Sequence, residues 1–162
     1  DLFDRYGGHA QAAGFALPAE RIEELETRFE ACARAVLRPQ DLEPVLSVDA
    51  EVSLADLDGG LYEALKKLEP FGVGNPTPVF VARRLRVLEG PRILKEKHLK
   101  FKVAEGAKSF EAIGWNLAPR GGRLGLRQEL DLAFTLDENL FQGVTTLQLV
   151  IRDFRESGES QE

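Results

Sequence analysis

Apolar residues recur with two spacings along this chain, and the change of spacing divides it. In the first part they fall at Ile22, Leu25, Phe29, Cys32, Ala33 and Val36, which places them on one face of a helix. Pro18 suits the first turn. Glu20, Glu23, Glu24 and Glu26 lie early while Arg34 and Arg38 lie late, matching the helix dipole. The pattern predicts a helix from Ala19 to Leu37, with Cys32 buried as a small hydrophobe. Pro39 and Pro44 then bracket Gln40-Asp41-Leu42-Glu43. Residues 41–44 read as a linker between a first domain, 1–40, and a second, 45–155.

Beyond the linker the period shortens to two. Val45–Val52, Val79–Leu88, His98–Val103, Phe110–Trp115, Glu129–Leu136 and Thr145–Phe154 read as strands. His98–Val103 alternates cleanly, with Leu99, Phe101 and Val103 on one face and His98, Lys100 and Lys102 on the other. Leu61–Leu68 reads as a short helix begun near Asp58 and stopped by Pro70. Asp137-Glu138-Asn139 opens the connection between the last two strands, and Gln142-Gly143 closes it. Five or six strands with one short helix predict a small β-barrel or sandwich, and the whole chain an α+β protein. Residues 156–162 are polar and read as a disordered tail.

Composition narrows the class. The 162 residues are 43% hydrophobic and 30% charged, as in globular proteins. No apolar run approaches the ~20 residues of a membrane span, so no membrane partner is expected. The single cysteine, Cys32, excludes an internal disulfide framework and fits a reducing, cytoplasmic compartment. Two histidines and one cysteine, far apart, cannot form a structural zinc site, and no metal site is expected.

The net charge of −6 is unevenly spread. Residues 83–127 hold 12 Lys and Arg against 4 Asp and Glu, a basic segment inside an acidic chain. Arg83, Arg84 and Arg86 fall on one predicted strand. Lys95 and Lys97 precede the strand that carries His98, Lys100 and Lys102. Arg120 and Arg123 fall in a later loop. On a small barrel these side chains form either a groove for a phosphate backbone or the solvated outer face of a sheet. Phe71, Phe80, Phe110 and Trp115 are available to such a groove, although most aromatics in a domain of this size belong to its core.

Two further segments carry candidate chemistry. Tyr6-Gly7-Gly8-His9-Ala10-Gln11-Ala12-Ala13-Gly14-Phe15 reads as a flexible bend open to close approach by a phosphate, with His9 as donor. It holds no Ser or Cys nucleophile and no carboxylate pair, so it can hold a phosphate but not hydrolyse one. Its place near the start of a chain without methionine predicts a piece of a longer protein. Leu68–Pro78 holds three prolines with Gly72 and Gly74. It is either a rigid connector or a rim presenting Phe71 or Asn75 to a ligand.

The run Gly7-Gly8-His9-Ala10-Gln11-Ala12-Ala13-Gly14-Phe15 resembles the signature of the DHHA1 domain of DHH-family phosphoesterases. Leu68-Glu69-Pro70-Phe71-Gly72-Val73-Gly74-Asn75-Pro76 resembles the loop that marks the OB domain of RecJ-type single-strand-specific exonucleases. His98–Phe101, Ala112–Trp115, Asp131–Phe134, Asn139–Gly143 and Leu147–Arg155 fit the same family in the same order.

The resemblance implies the end of a DHHA1 domain followed by an OB-like barrel. It implies a parent that removes nucleotides from single-stranded DNA in the 5′-to-3′ direction, in DNA repair and recombination. Mn²⁺ or Mg²⁺ is implied in a preceding DHH domain, no cofactor in this chain, and no nuclease activity for this chain alone. Gly7, Gly8 and His9 would help hold the substrate phosphate. The barrel would bind single-stranded DNA and guide it. The alternative is a module for repair-protein partners, or a scaffold, without DNA contact. The oligomeric state is left open.

Overall fold

The structure, a computed structural model, describes residues 2–158 apart from the Arg123 side chain. The chain divides into two compact units, Asp1–Leu46 and Ser47–Glu162.

In the first unit the glycine-rich run is not a flexible bend. It forms a β-hairpin of β1 (Arg5–His9) and β2 (Ala12–Ala16), with Gly7 opposite Gly14 and Gly8 opposite Ala13. Small residues are needed here: a Cβ on Gly8 would lie 2.5 Å from the Ala12 carbonyl oxygen and 2.6 Å from the Ala13 Cα. The predicted helix begins as a 3-10 turn, Ala19–Arg21, and continues as α1 (Ile22–Val36). Arg28 and Arg34 pair with Glu24 and Glu30 one turn earlier, each at 2.6 Å. Leu25 is buried, and Phe15 lies between Phe3 and Phe29, with centroids 4.8 and 6.3 Å away. Cys32 is exposed, contrary to the expectation from its apolar neighbours. A two-stranded hairpin is too small to cover the 15-residue helix, and Phe29 itself is 57% exposed.

The chain then makes a 3-10 turn at Pro39–Leu42, in which the Arg38 N–H and guanidinium both bond the Asp41 carboxylate. Residues 45–49 do not form the start of a strand. The strand is confined to β3 (Ala50–Glu51), parallel to the next, and Val45 and Val48 stay exposed. Helix α2 (Gly59–Lys66) is capped by Asp58, whose carboxylate accepts the Leu61 N–H at 2.8 Å.

Five longer strands follow: β4 (Phe80–Leu94), β5 (His98–Glu105), β6 (Lys108–Gly114), β7 (Glu129–Phe141) and β8 (Val144–Glu156). They pair in the order β4-β5-β6-β8-β7, and β7 returns to pair with β4, closing a barrel. All neighbours are antiparallel except β6 and β8, which are parallel. Register shifts in β4, between Ala82 and Leu85 and again between Val87 and Arg92, let one strand curl between two partners. The barrel is filled by side chains that include Leu85, Val87, Leu99, Phe101, Leu132 and Phe134, each at most 2% exposed. This is the α+β architecture that the resemblance implies.

Two boundaries differ from expectation. β7 and β8 run through the expected connection, leaving a turn at Gln142-Gly143 with φ of 49° and 79°. That is the mirror-image turn whose twist suits a tight hairpin. The expected tail at 156–162 is ordered at its start: Glu156 ends β8, and the Ser157 N–H donates to the Glu129 carbonyl at 3.1 Å. The rest of that tail, 159–162, lies outside the described residues.

Candidate nucleic-acid interface

On β5 the alternation holds. Leu99, Phe101 and Val103 fill the barrel, and His98, Lys100 and Lys102 stand on its outer wall. The Lys100 Nζ lies 2.6 Å from Glu111 on β6, and the Lys102 Nζ 3.8 Å from Glu89 on β4. Partly exposed pairs of this kind contribute only ~0–1 kcal/mol, so a phosphate can compete for both lysines. The His98 Nδ1 accepts the Asn116 N–H at 3.1 Å, which assigns the proton of the neutral ring to Nε2. The His98 ring meets Trp115 at the end of β6, with centroids 4.8 Å apart and planes at 79°. Trp115 is 54% exposed.

The other cations of the basic segment do not all join this face. Arg83 and Arg84 lie at the β4 bulge, beside Asp131 of β7. Arg83 Nε is 2.8 Å from Glu51 and Nη1 3.3 Å from Asp131, while Arg84 Nε is 3.6 Å from Glu129. Asp131 is 8% exposed and also receives the Arg84 N–H, Arg155 and the Ser157 hydroxyl. Burial pushes its carboxyl up, but the hydrogen bonds from Ser157, Arg84 and Arg155 and the charge of Arg83 outweigh it. The Asp131 pKa is lowered overall. Arg120 lies over the Phe154 ring at 4.2 Å and bonds Asp153 and the Phe154 carbonyl. Arg86, Lys95 and Lys97 are exposed, with no ion pair among the described residues, the two lysines at the β4–β5 turn. The Arg123 side chain lies outside the described set.

The 68–78 loop is shaped by Asn75. Its amide donates to the carbonyls of Leu68 and Pro70 at 2.8 and 2.9 Å, and its backbone pairs with Gly72 in both directions. Gly74 turns the chain at φ 87°. The Asn75 side chain is thus occupied within the loop, while Phe71 faces a groove.

That groove, of about 290 Å³, lies between α2, the 68–78 loop and the outer wall of β6, β7 and β8. Tyr62, Phe71, Pro78 and Trp115 give it aromatic and apolar walls; Thr135, Asp137 and Arg152 give it polar ones. Burial, with Asp137 and Glu138 nearby, pushes the Tyr62 phenol up, so the hydroxyl keeps its proton. Thr135 and Arg152 are functional candidates that the sequence reading did not single out. The available signal was the alternation Gln148, Val150, Arg152 on the outer face of β8.

In the first unit, β-strand alternation puts Arg5, Gly7 and His9 on one face of the hairpin. The His9 Nδ1 accepts the Gln11 N–H at 3.2 Å, which leaves Nε2–H as the outward donor of the neutral ring. Gly8 is on the opposite face and serves close packing. Among the described residues no three His, Cys, Asp or Glu side chains gather as a metal site. Among them, too, no helix is long and apolar enough to cross a membrane.

Comparison with known proteins places these features. The family model of the RecJ OB domain matches residues 48–153. The chain is 34% identical over 152 residues to the single-stranded-DNA-specific exonuclease RecJ of Dickeya dadantii, covering 93% of this chain and 26% of that protein. It is 32% identical over 161 residues to RecJ of Thermus thermophilus, covering 96% of this chain and 22% of the relative. The crystal structure of Thermus thermophilus RecJ with Mn²⁺ superposes with a TM-score of 0.73 and 29% identity, over 98% of this chain and 22% of that one. The chain thus spans about a quarter of the length of the relatives it matches.

Proposed function

Because the chain belongs to the RecJ OB-domain family, we propose that its barrel binds and guides single-stranded DNA for a 5′-to-3′ single-strand-specific exonuclease. The observation that carries this reading is the half-exposed Trp115 on the same outer wall as His98, Lys100 and Lys102. Lysines offer salt-dependent attraction to a phosphate backbone, and an exposed indole offers a platform for an unpaired base. A duplex keeps its bases stacked and cannot use that platform.

The first unit is read as the end of a DHHA1 domain. Gly7 leaves the hairpin face bare for a phosphate, and His9 donates to it from Nε2. Hydrolysis requires Mn²⁺ or Mg²⁺ held by Asp and His side chains supplied outside this chain, so the chain alone does not cleave DNA. The role of the parent is in DNA repair and recombination in the cytoplasm.

A second reading, a module that docks repair proteins without touching DNA, draws on the β7–β8 tip, where Leu140, Phe141 and Val144 are all exposed. The double variant Lys100→Glu, Lys102→Glu separates the two. Under the DNA reading its affinity for a labelled single-stranded oligonucleotide drops by at least about tenfold, since two favourable charges become repulsive. Unchanged binding by the variant rules out the lysine face, and a parent chain that does not bind the oligonucleotide at all leaves the docking module.

A further inference from the structure

The groove beside Trp115 has a polar side that phosphate attraction does not use. Thr135 is 5% exposed, on the outer wall of β7, and lines the groove together with residues of α2 and the 68–78 loop. Its hydroxyl forms no hydrogen bond among the described residues, yet it is not sealed off, since no fully buried side-chain polar atom is left without a partner. A nearly buried hydroxyl that opens on a groove and has no partner within the chain can donate to or accept from whatever enters that groove. Asp137, two residues on and on the same face of β7, brings a carboxylate to the same groove. Arg152 is exposed at its margin and has no ion pair or hydrogen bond among the described residues.

Resting on the single-strand reading, we infer that this groove is a one-base pocket selective for bases that carry an exocyclic amino group. Its volume, about 290 Å³, lies at the lower end of small-molecule pockets and suits one planar base rather than two. The base stacks on Trp115, which His98 holds from the side. Its polar edge meets Thr135, which can donate or accept, and Asp137, which as a carboxylate only accepts. Arg152 meets the adjoining phosphate. Cytosine satisfies this pattern: its N4 amino group donates to Asp137 and its N3 accepts from Thr135. Thymine turns its O4 acceptor toward the carboxylate and is disfavoured.

Trp115 is the sole tryptophan, so its fluorescence reports on the pocket directly. The 162-residue chain is titrated with oligo-dC and oligo-dT of equal length at neutral pH, following both Trp115 emission and the anisotropy of a label on the DNA. Quenching is expected on binding, with dC about fivefold to tenfold tighter than dT. Asp137→Asn equalises the two, because an amide can present either its oxygen or its NH₂ to the base. Thr135→Val, which keeps the shape and removes an unpartnered hydroxyl, weakens dC binding without unfolding the barrel. Binding by anisotropy with unchanged Trp115 emission, or equal affinity for dC and dT, overturns the pocket while leaving single-strand binding intact. No anisotropy change with either oligonucleotide overturns the single-strand reading itself, and the pocket with it.

Discussion

Ser157, just past the end of β8, donates its hydroxyl to Asp131 Oδ1 of β7 at 2.8 Å. With the Arg84 N–H and the guanidinium groups of Arg83 and Arg155, it makes Asp131 a point where β4, β7, β8 and the residue after β8 are tied together. The carboxyl titrates lower in the folded state than in the unfolded chain, where it would be near ~3.9. Its stabilisation is therefore complete above about pH 4 and drains away as pH falls through the folded-state value. Asp131→Asn is expected to lower stability by about 2 kcal/mol at pH 7, because Arg155 loses its counter-charge and Arg83 keeps only Glu51. The gap between variant and parent should be narrower at pH 3 than at pH 7. Urea midpoints at the two pH values check this; a gap of equal size at both denies Asp131 the role.

Asn75→Ala removes the two hydrogen bonds that close the 68–78 loop. The expected cost is about 1–2 kcal/mol, with a lower thermal midpoint and looser packing of Phe71 against the groove. Weaker single-strand binding should accompany it. A variant as stable as the parent would show that the prolines alone shape the loop.

The two glycines of the hairpin separate by substitution. Gly8→Ala drives a methyl into the backbone of Ala12 and Ala13 and should loosen the hairpin by about 1–3 kcal/mol. Gly7→Ala meets nothing within 4 Å and should leave it intact. Amide hydrogen exchange of β1 and β2 measures both. Faster exchange in Gly7→Ala than in Gly8→Ala would contradict the hairpin geometry.

The barrel strands were legible because their alternation is a local property: Leu99, Phe101 and Val103 against His98, Lys100 and Lys102 is readable wherever one face is buried. The last turn was not. Asp137-Glu138-Asn139 has turn-forming chemistry, but cross-strand pairing with Leu147 and Thr146 carries Glu138 and Asn139 as strand, and the bend falls at Gln142-Gly143. Cys32 was misplaced because helical spacing identifies an apolar face without saying what covers it. The grouping of the cations was hidden for a similar reason. Arg83 and Lys100 are both basic and on adjacent strands, yet Lys100 lies opposite Arg92, further along β4, so Arg83 meets Asp131 of β7 while Lys100 meets Glu111 of β6. Thr135 was invisible in sequence because the groove it lines is built with α2 and the 68–78 loop, distant in the chain.

The central claim, that this barrel binds a single DNA strand through its phosphates and an exposed base platform, is tested most directly by salt. Binding of a labelled single-stranded oligonucleotide is measured between about 50 and 200 mM monovalent salt, with the matching duplex beside it. Lys100, Lys102 and Arg152 together should give a slope of log K against log salt of about −2, at ~0.7 per phosphate contacted, with the duplex clearly weaker. A flat response, or equal binding of the duplex, would contradict it.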